Sequence, residues 1–437
     1  MFLYSMARKI NSRIKERNKM KRGRFLSPVR RIEFVYPPQN GRFCAMTFDD
    51  GPMALPVNPG GAKGLTEALL DTMKSFGAHG TFDVIGTTED NYPDEPGKIN
   101  DFSWSGTYYD HYPSFGKDKM AGAVHQGALI RRMIEEGHEI ANHSYQHILF
   151  GPMGFNYAKR KHFENFREVI ADLNTLDALL RNEYNYQIKL ARPPHYIDKT
   201  KDGHSVYDAY QSLGYQYLAA SFDGAGWLPR TCEYEDYVER TMVAPLRQAL
   251  ENDPDALCGH IIFQKDGYNM SLETPVADAL PRQLELLQSY GYQVIPVSEL
   301  LELSPVEDVD KDNIAFPHIK EMLRKGHAIA YQNNSFQGER AITYGEILMM
   351  LCPPAVFRSY SGEGKNDPYQ EAFRHFSGNG LQSILPQCTR NNLETAAKGK
   401  ELLAMAMNRG VKAEEAFFKD KETVERQNAI TLLSQLI

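Results

Sequence analysis

The sequence predicts an α/β fold, a (β/α) barrel followed by a small all-α domain, and three observations carry that prediction. Strand-like and helix-like segments alternate over about 260 residues, the pattern of repeated βα units. The polar clusters fall at the carboxyl ends of the strand-like runs, where barrel active sites assemble. After Leu303-Ser304-Pro305 the strands stop and only helical patterns continue. An open doubly wound sheet is the alternative architecture, but no G-x-G-x-x-G turn supports a nucleotide site.

A chain of 437 residues has room for two or three domains. Its 42% hydrophobic and 24% charged content is that of a soluble globular protein with material for a real core. No run approaches the ~18 apolar residues of a membrane span. The pattern divides the chain into a basic N-terminal arm over 1–40, the barrel over 41–303 and the helical domain over 304–437. The first thirty-one residues hold eleven Lys or Arg against the single acid Glu16, so the arm is near +10 while the whole chain is −7. Such an arm attaches electrostatically to an acidic polymer, nucleic acid or membrane surface, or is a solvated helix or tail. The second reading is carried forward, with no nucleic-acid partner expected. No apolar core follows the charges as a secretory signal requires, so export is not evident. Five cysteines, Cys44, Cys232, Cys258, Cys352 and Cys388, lie far apart and suggest neither a metal site nor a disulfide framework.

In chain order, Phe43-Cys44-Ala45-Met46 and then Thr47-Phe48-Asp49-Asp50-Gly51-Pro52 read as a strand ending in a turn with two acids. Neighbouring strand residues face opposite sides, so two adjacent Asp share one task only where the strand has already broken. Divided labour is expected, one carboxylate for a metal and one for a proton. Leu65 to Gly77 is a helix stopped by glycine and Gly80 to Gly86 a strand, together a parallel unit. Residues 87–120 break the pattern and hold seven aromatics from Tyr92 to Phe115, a sugar-stacking surface or a lid that packs its own rings. Leu129 to Gly137 is a helix and His138 to Ala141 a strand, ending in Asn142-His143-Ser144-Tyr145-Gln146-His147. His162 to Leu180 is a helix, and Ile188 to Ala191 leads into Arg192-Pro193-Pro194-His195-Tyr196. Tyr207 to Leu213 is a helix, and Tyr215 to Phe222 a strand that delivers Asp223-Gly224-Ala225-Gly226-Trp227. Helix Tyr237 to Leu250 precedes strand Gly259 to Phe263, followed by Gln264-Lys265-Asp266-Gly267-Tyr268. Helix Ala279 to Tyr290 and strand Gln293 to Val297 close the repeat.

His143 and His147 are four apart, a spacing that puts both imidazoles on one face of a helical turn, where they chelate a divalent cation. Two His and one carboxylate with open positions make a hydrolytic metal site, and Asp50 is the natural third ligand. An H-x-x-x-H pair alone is a weak signal. Its place at one strand end, with an acid pair at another, favours metal over ordinary core histidines.

The stretches TFDDGP at 47–52, HSYQH at 143–147, RPPHY at 192–196, DGAGW at 223–227 and IIFQKDG at 261–267 resemble the five ordered motifs of the polysaccharide deacetylase (NodB-homology, carbohydrate esterase) family. The resemblance covers roughly residues 42–303. It implies a distorted (β/α) barrel, with fewer than eight strands in many members, and metal-dependent hydrolysis of N-acetyl or O-acetyl groups on sugars. It makes Asp49 the general base toward the attacking water and Asp50, His143 and His147 the ligands of one divalent ion, zinc first, with cobalt, nickel or iron also suited. Arg192 would hold Asp49 ionised by charge-assisted hydrogen bonding. His195 follows Pro-Pro where the family usually has an aromatic whose backbone amide helps bind the oxyanion. Tyr196, Trp227 and Phe263 are the expected sugar contacts.

Two departures stand out. The family usually has Asp immediately before the Trp of the fourth motif, and this chain has Gly226. The fifth motif usually ends in a His acid, and Lys265 stands in its place. Three outcomes stay open: Lys265 acts as the acid or as a stabiliser of the oxyanion; His195 or the aromatic insert supplies the proton; or the site binds acetylated sugar with little turnover.

In the C-terminal third, Ile319 to Gly326 with Ala341 to Leu348, and Glu401 to Gly410 with Val424 to Ile430, are two similar helix pairs, each with a loop Phe (Phe336, Phe417). Thr343-x-x-Glu346 is a capping box. The pairs resemble S-layer-homology repeats, which attach proteins to cell-wall polymers, although Tyr344-Gly345 replaces the usual Arg-Ala. The expected function is a deacetylase of envelope polysaccharide. A carbohydrate-binding pseudoenzyme on the same barrel and an amidohydrolase acting on a small molecule are the alternatives. Family and repeats suggest the cell envelope, and the missing signal suggests the cytoplasm.

Overall fold

The structure, a computed structural model, describes residues 17–57, 61–88, 119–152 and 161–437. Most of the aromatic insert and the first half of the basic arm lie outside them. The chain divides into two compact units, Pro37–Leu303, and Ser304–Ile437 together with the N-terminal residues up to Tyr36.

The first unit is a curled parallel sheet wrapped by helices. Its strands are β1 (Arg42–Asp49), β2 (Thr81–Val84), β3 (Glu139–Asn142), β4 (Leu190–Ala191), β5 (Gln216–Leu218), β6 (Phe222–Asp223), β7 (Ile261–Lys265) and β8 (Tyr292–Val294). They run in the order β5-β4-β3-β2-β1-β7-β6, every pair parallel, with β8 alongside Arg42–Cys44 of β1. The helices α1 (Leu65–Ser75), α2 (Gly127–Glu135), α3 (Phe166–Tyr184), α4 (Val206–Leu213), α5 (Ala244–Asn252) and α6 (Pro275–Ser289) connect them, and α7 (Val297–Leu303) follows β8. Strand β1 is the hub. It pairs with three strands, its Cys44, Ala45, Met46 and Phe48 are wholly buried, and Phe48 stacks on Phe82 with ring centroids 4.8 Å apart.

The predicted single strand Tyr215 to Phe222 is two short ones, Gln216–Leu218 and Phe222–Asp223. Strand β5 pairs with β4 and β6 with β7, so the two pieces of chain lie against different strands. Between them lie only Ala219-Ala220-Ser221. The carbonyl oxygens of Leu218 and Ala219 accept from the Arg192 guanidinium (3.3 and 3.2 Å). The predicted helix from His162 begins at Phe166, because the Asn165 side chain accepts from Arg167 N and Glu168 N and caps it there.

The second unit is helical: α8 (Phe316–Arg324), α9 (Tyr344–Leu351), α10 (Pro354–Arg358), α11 (Pro368–Gly378), α12 (Leu381–Ile384), α13 (Gly399–Asn408) and α14 (Arg426–Leu433). The capping box Thr343/Glu346 opens α9 as the sequence predicts. Arg426, wholly buried, donates to the carbonyl oxygens of Phe336 and Ile329 (both 2.8 Å) and pairs with Glu346 (3.3 Å).

The second half of the predicted arm is part of this unit. Leu26 sits in its core, Ser27 N, Arg31 N and Tyr36 N donate to Ala330 O, Gln332 O and Val306 O, and Arg30 bonds Pro305 O and the Asn334 side chain. The charge count hid a second pattern, Leu26, Val29, Ile32 and Val35 at every third residue, all buried. Among the described residues no helix is long and apolar enough to cross a membrane.

Candidate metal centre and active site

The site is assembled at the carboxyl end of β1. Asp49 is the last strand residue, and Asp50 turns out of the strand with φ 84°. The strand therefore breaks between the two acids, and both carboxylates serve one pocket. Across the sheet, Asp49 is in register with Asp83 on β2 and Lys265 on β7. Gly51 follows because space demands it: a Cβ there would lie 1.9 Å from Asp266 Oδ2.

His143 and His147 leave the end of β3 on a loop. The expected helical turn is absent: Ser144 and His147 have φ 76° and 53°, a left-handed conformation that short polar side chains tolerate when the surroundings fix it. The fixing is explicit. Asn142 Oδ1 accepts from Ser144 N, Ser144 Oγ from His147 N, and the Asp172 carboxylate from Tyr145 N and Gln146 N at 2.7 and 3.0 Å. Spacing brought the two imidazoles together by a different backbone from the one spacing suggested.

One ligand atom each of Asp50, His143 and His147 lies within 4.8 Å of the others, all three residues buried. His143 Nε2 and His147 Nε2 are 3.2 and 3.1 Å from the same oxygen, Asp50 Oδ1. The donor set fits a divalent cation for a specific reason. His143 Nδ1 is 2.8 Å from the Arg192 carbonyl oxygen, which only accepts, so Nδ1 carries a proton, and in the neutral ring Nε2 turns a lone pair toward a carboxylate oxygen. A shared cation or proton reconciles two such acceptors. Burial works against a charged His143, yet Asp49 and Asp50 outweigh it and raise its pKa.

Arg192, wholly buried, grips Asp49. Its Nη1 donates to Asp49 Oδ1 and to Thr47 Oγ1 (3.0 Å) and lies 3.0 Å from Asp83 Oδ2, outside hydrogen-bond geometry for the last. Burial pushes the Asp83 carboxyl well above the usual carboxylate range, with Arg192 pulling the other way. Asp266, also wholly buried, accepts from Thr66 Oγ1, and burial pushes its pKa up to about 7.

The remaining expected residues fall around this centre unevenly. Lys265, 7% exposed, sets its Nζ 2.8 Å from Asp50 Oδ2. His195, in a left-handed turn (φ 54°), sets its ring centroid 5.6 Å from that of His147, the planes tilted at 56°. Tyr196 and Phe263 flank the Arg192 guanidinium at 5.5 and 5.7 Å from their ring centroids. Trp227 stands on the loop after β6, half open to solvent, its indole N–H on Asp223. At Gly226 a Cβ would come 3.0 Å from the Met242 methyl, the movable end of a flexible side chain.

Sequence reasoning missed Asp83 and Asp172. Both left a signal. Asp83 is the acid in the strand Thr81–Val84, all four residues of which are buried, and Asp172 lies among Val169, Leu173 and Leu176 on the buried face of α3.

Residues 37–218 match the family model for polysaccharide deacetylase. The chain is 24% identical over 264 residues to the peptidoglycan-N-acetylmuramic acid deacetylase PdaC of Bacillus subtilis, covering 60% of this chain and 40% of that protein. It is 25% identical over 265 residues to a peptidoglycan-N-acetylglucosamine deacetylase of Bacillus cereus, covering 60% and 90%. The first of these relatives is therefore matched over less than half its length. The solved structure of Bacillus subtilis PdaC aligns with a TM-score of 0.38 at 23% identity, over 60% of this chain and 92% of that one.

Proposed function

We propose that this chain is a metal-dependent hydrolase acting on carbon–nitrogen bonds other than peptide bonds, one that removes acetyl groups from N-acetylated, or O-acetylated, sugars of a cell-wall or other polysaccharide. The observation that carries the reading is the convergence of three cation donors, Asp50, His143 and His147, beside an acid, Asp49, gripped by a buried arginine. The polysaccharide deacetylase match, and relatives named for peptidoglycan, support the substrate class.

Held by Asp50, His143 and His147, a divalent cation, zinc first and cobalt, nickel or iron after it, would supply Lewis acidity toward the acetyl carbonyl and toward water. Asp49 takes the proton of the attacking water. Arg192 keeps that carboxylate ionised and aimed. The backbone amide of His195 donates to the oxyanion that develops, and a changed side chain there leaves the donor intact. Tyr196, Trp227 and Phe263 offer ring faces to the sugar. Lys265 acts as an electrostatic group or as the acid.

One observation favours a second reading, a sugar-binding protein with little turnover: the position of the usual acid holds a lysine paired with Asp50. The helical unit is read as a module for a cell-wall polymer, on its partial S-layer-homology resemblance. Acetate release from N-acetylglucosamine oligomers with added zinc or cobalt tests the hydrolase. Asp49→Asn is expected to lower the rate by about 10²–10⁴. Equal, slow release by both proteins, with sugar binding retained, would sink the enzyme and leave the binding reading.

A further inference from the structure

The two oxygens of Asp50 have different company. Oδ1 faces His143 Nε2 and His147 Nε2 at 3.2 and 3.1 Å, and Oδ2 faces Lys265 Nζ at 2.8 Å. Both residues of the Asp50–Lys265 pair are buried, at 6 and 7% exposure, so solvent screens the pair weakly. The lysine is held in place from behind. It ends β7 in register with Asp49, and its stem lies against the Gly267 backbone, where a Cβ would come 3.0 Å from Lys265 Cε.

From this geometry we propose that Lys265 is an internal counter-ion for Asp50: it confines that carboxylate to a single donor oxygen and holds the cation affinity of the site below what the same three donors would give beside an uncharged residue. The proposal rests on the reading of Asp50, His143 and His147 as cation donors. A cation at Oδ1 and an ammonium at Oδ2 draw on one negative charge, and in a buried pocket each weakens the other's hold. With Oδ2 occupied, the carboxylate is not free to bind through both oxygens. A neutral side chain at this position would do neither. Lys265 is thus a positioning residue that acts through Asp50.

The test is cation binding by the full chain, measured calorimetrically with zinc and with cobalt and without any substrate. Lys265→Gln keeps a hydrogen-bond donor and removes the charge; Lys265→Met removes both. Both are expected to bind each cation about tenfold or more tighter than the unaltered protein, a change of about 1.4 kcal/mol per tenfold. His143→Ala should abolish binding in every background, and circular dichroism melts confirm that each variant is folded. Binding that His143→Ala abolishes, but that Lys265→Gln or Lys265→Met leaves unchanged or weaker, overturns the counter-ion proposal alone. No saturable binding by the unaltered protein or by either lysine variant overturns the cation site itself, and the proposal with it.

Discussion

Asp172 works one step behind the cation donors. It accepts the amides of Tyr145 and Gln146 and so fixes the left-handed loop that carries both histidines. Supporting groups of this kind typically contribute 10–100-fold to metal affinity. Asp172→Ala is therefore expected to weaken zinc binding by about that factor while all three donors remain, and a calorimetric affinity equal to that of the unaltered protein would remove Asp172 from the site. Asp49, Asp50, His143 and His147 drew attention in the sequence as polar residues at strand ends, and Arg192 through the resemblance of its motif. Asp83 and Asp172 left only the signal of an acid among buried residues, because what distinguishes them is the neighbour they meet in space: Arg192 for one, a loop twenty-seven residues away for the other.

At the scale of elements, the alternation of strands and helices was readable, and its exceptions have physical causes. Tyr215 to Phe222 has the composition of one strand, but nothing in its side chains announces that Arg192 takes the carbonyls at Leu218 and Ala219. The H-x-x-x-H spacing fits a helix as well as a loop, and hydrogen bonds from Asn142, Ser144 and Asp172 decide for the loop. The end of β7 carries a titration that follows from its packing. Asp266 has its pKa raised from 3.8 to about 7 by burial, so between those values the folded chain holds more protons than the unfolded one. Stability from this group is present in full at low pH and is lost as pH rises from about 4 to about 7. Its size is up to about 4 kcal/mol, at about 1.4 kcal/mol for each step of one in pKa. Urea unfolding of the chelator-treated protein should show this decline in the unaltered chain and a flatter profile in Asp266→Asn. Identical slopes would mean that Asp266 titrates normally.

At the scale of the whole molecule, the division near residue 303 was visible as the end of strand patterns. The N-terminal end of the second unit was not, because its charge was read before its apolar spacing. Leu26→Ala discriminates between an arm and a structural segment. Leu26 is 2% exposed within the helical core, so its truncation should cost about 2–5 kcal/mol of that unit's stability, seen by calorimetry as a lowered transition. An unshifted transition would restore the free arm.

Arg192 joins these scales. The same guanidinium that grips Asp49 also ties the carbonyls of Leu218 and Ala219 at the break after β5, so one residue serves both the candidate site and the fold around it. A lineage that gave up hydrolysis would still lose stability by discarding it. Arg192 is therefore a poor witness to activity in this chain. Position 265, whose lysine faces Asp50 and not the guanidinium, testifies better.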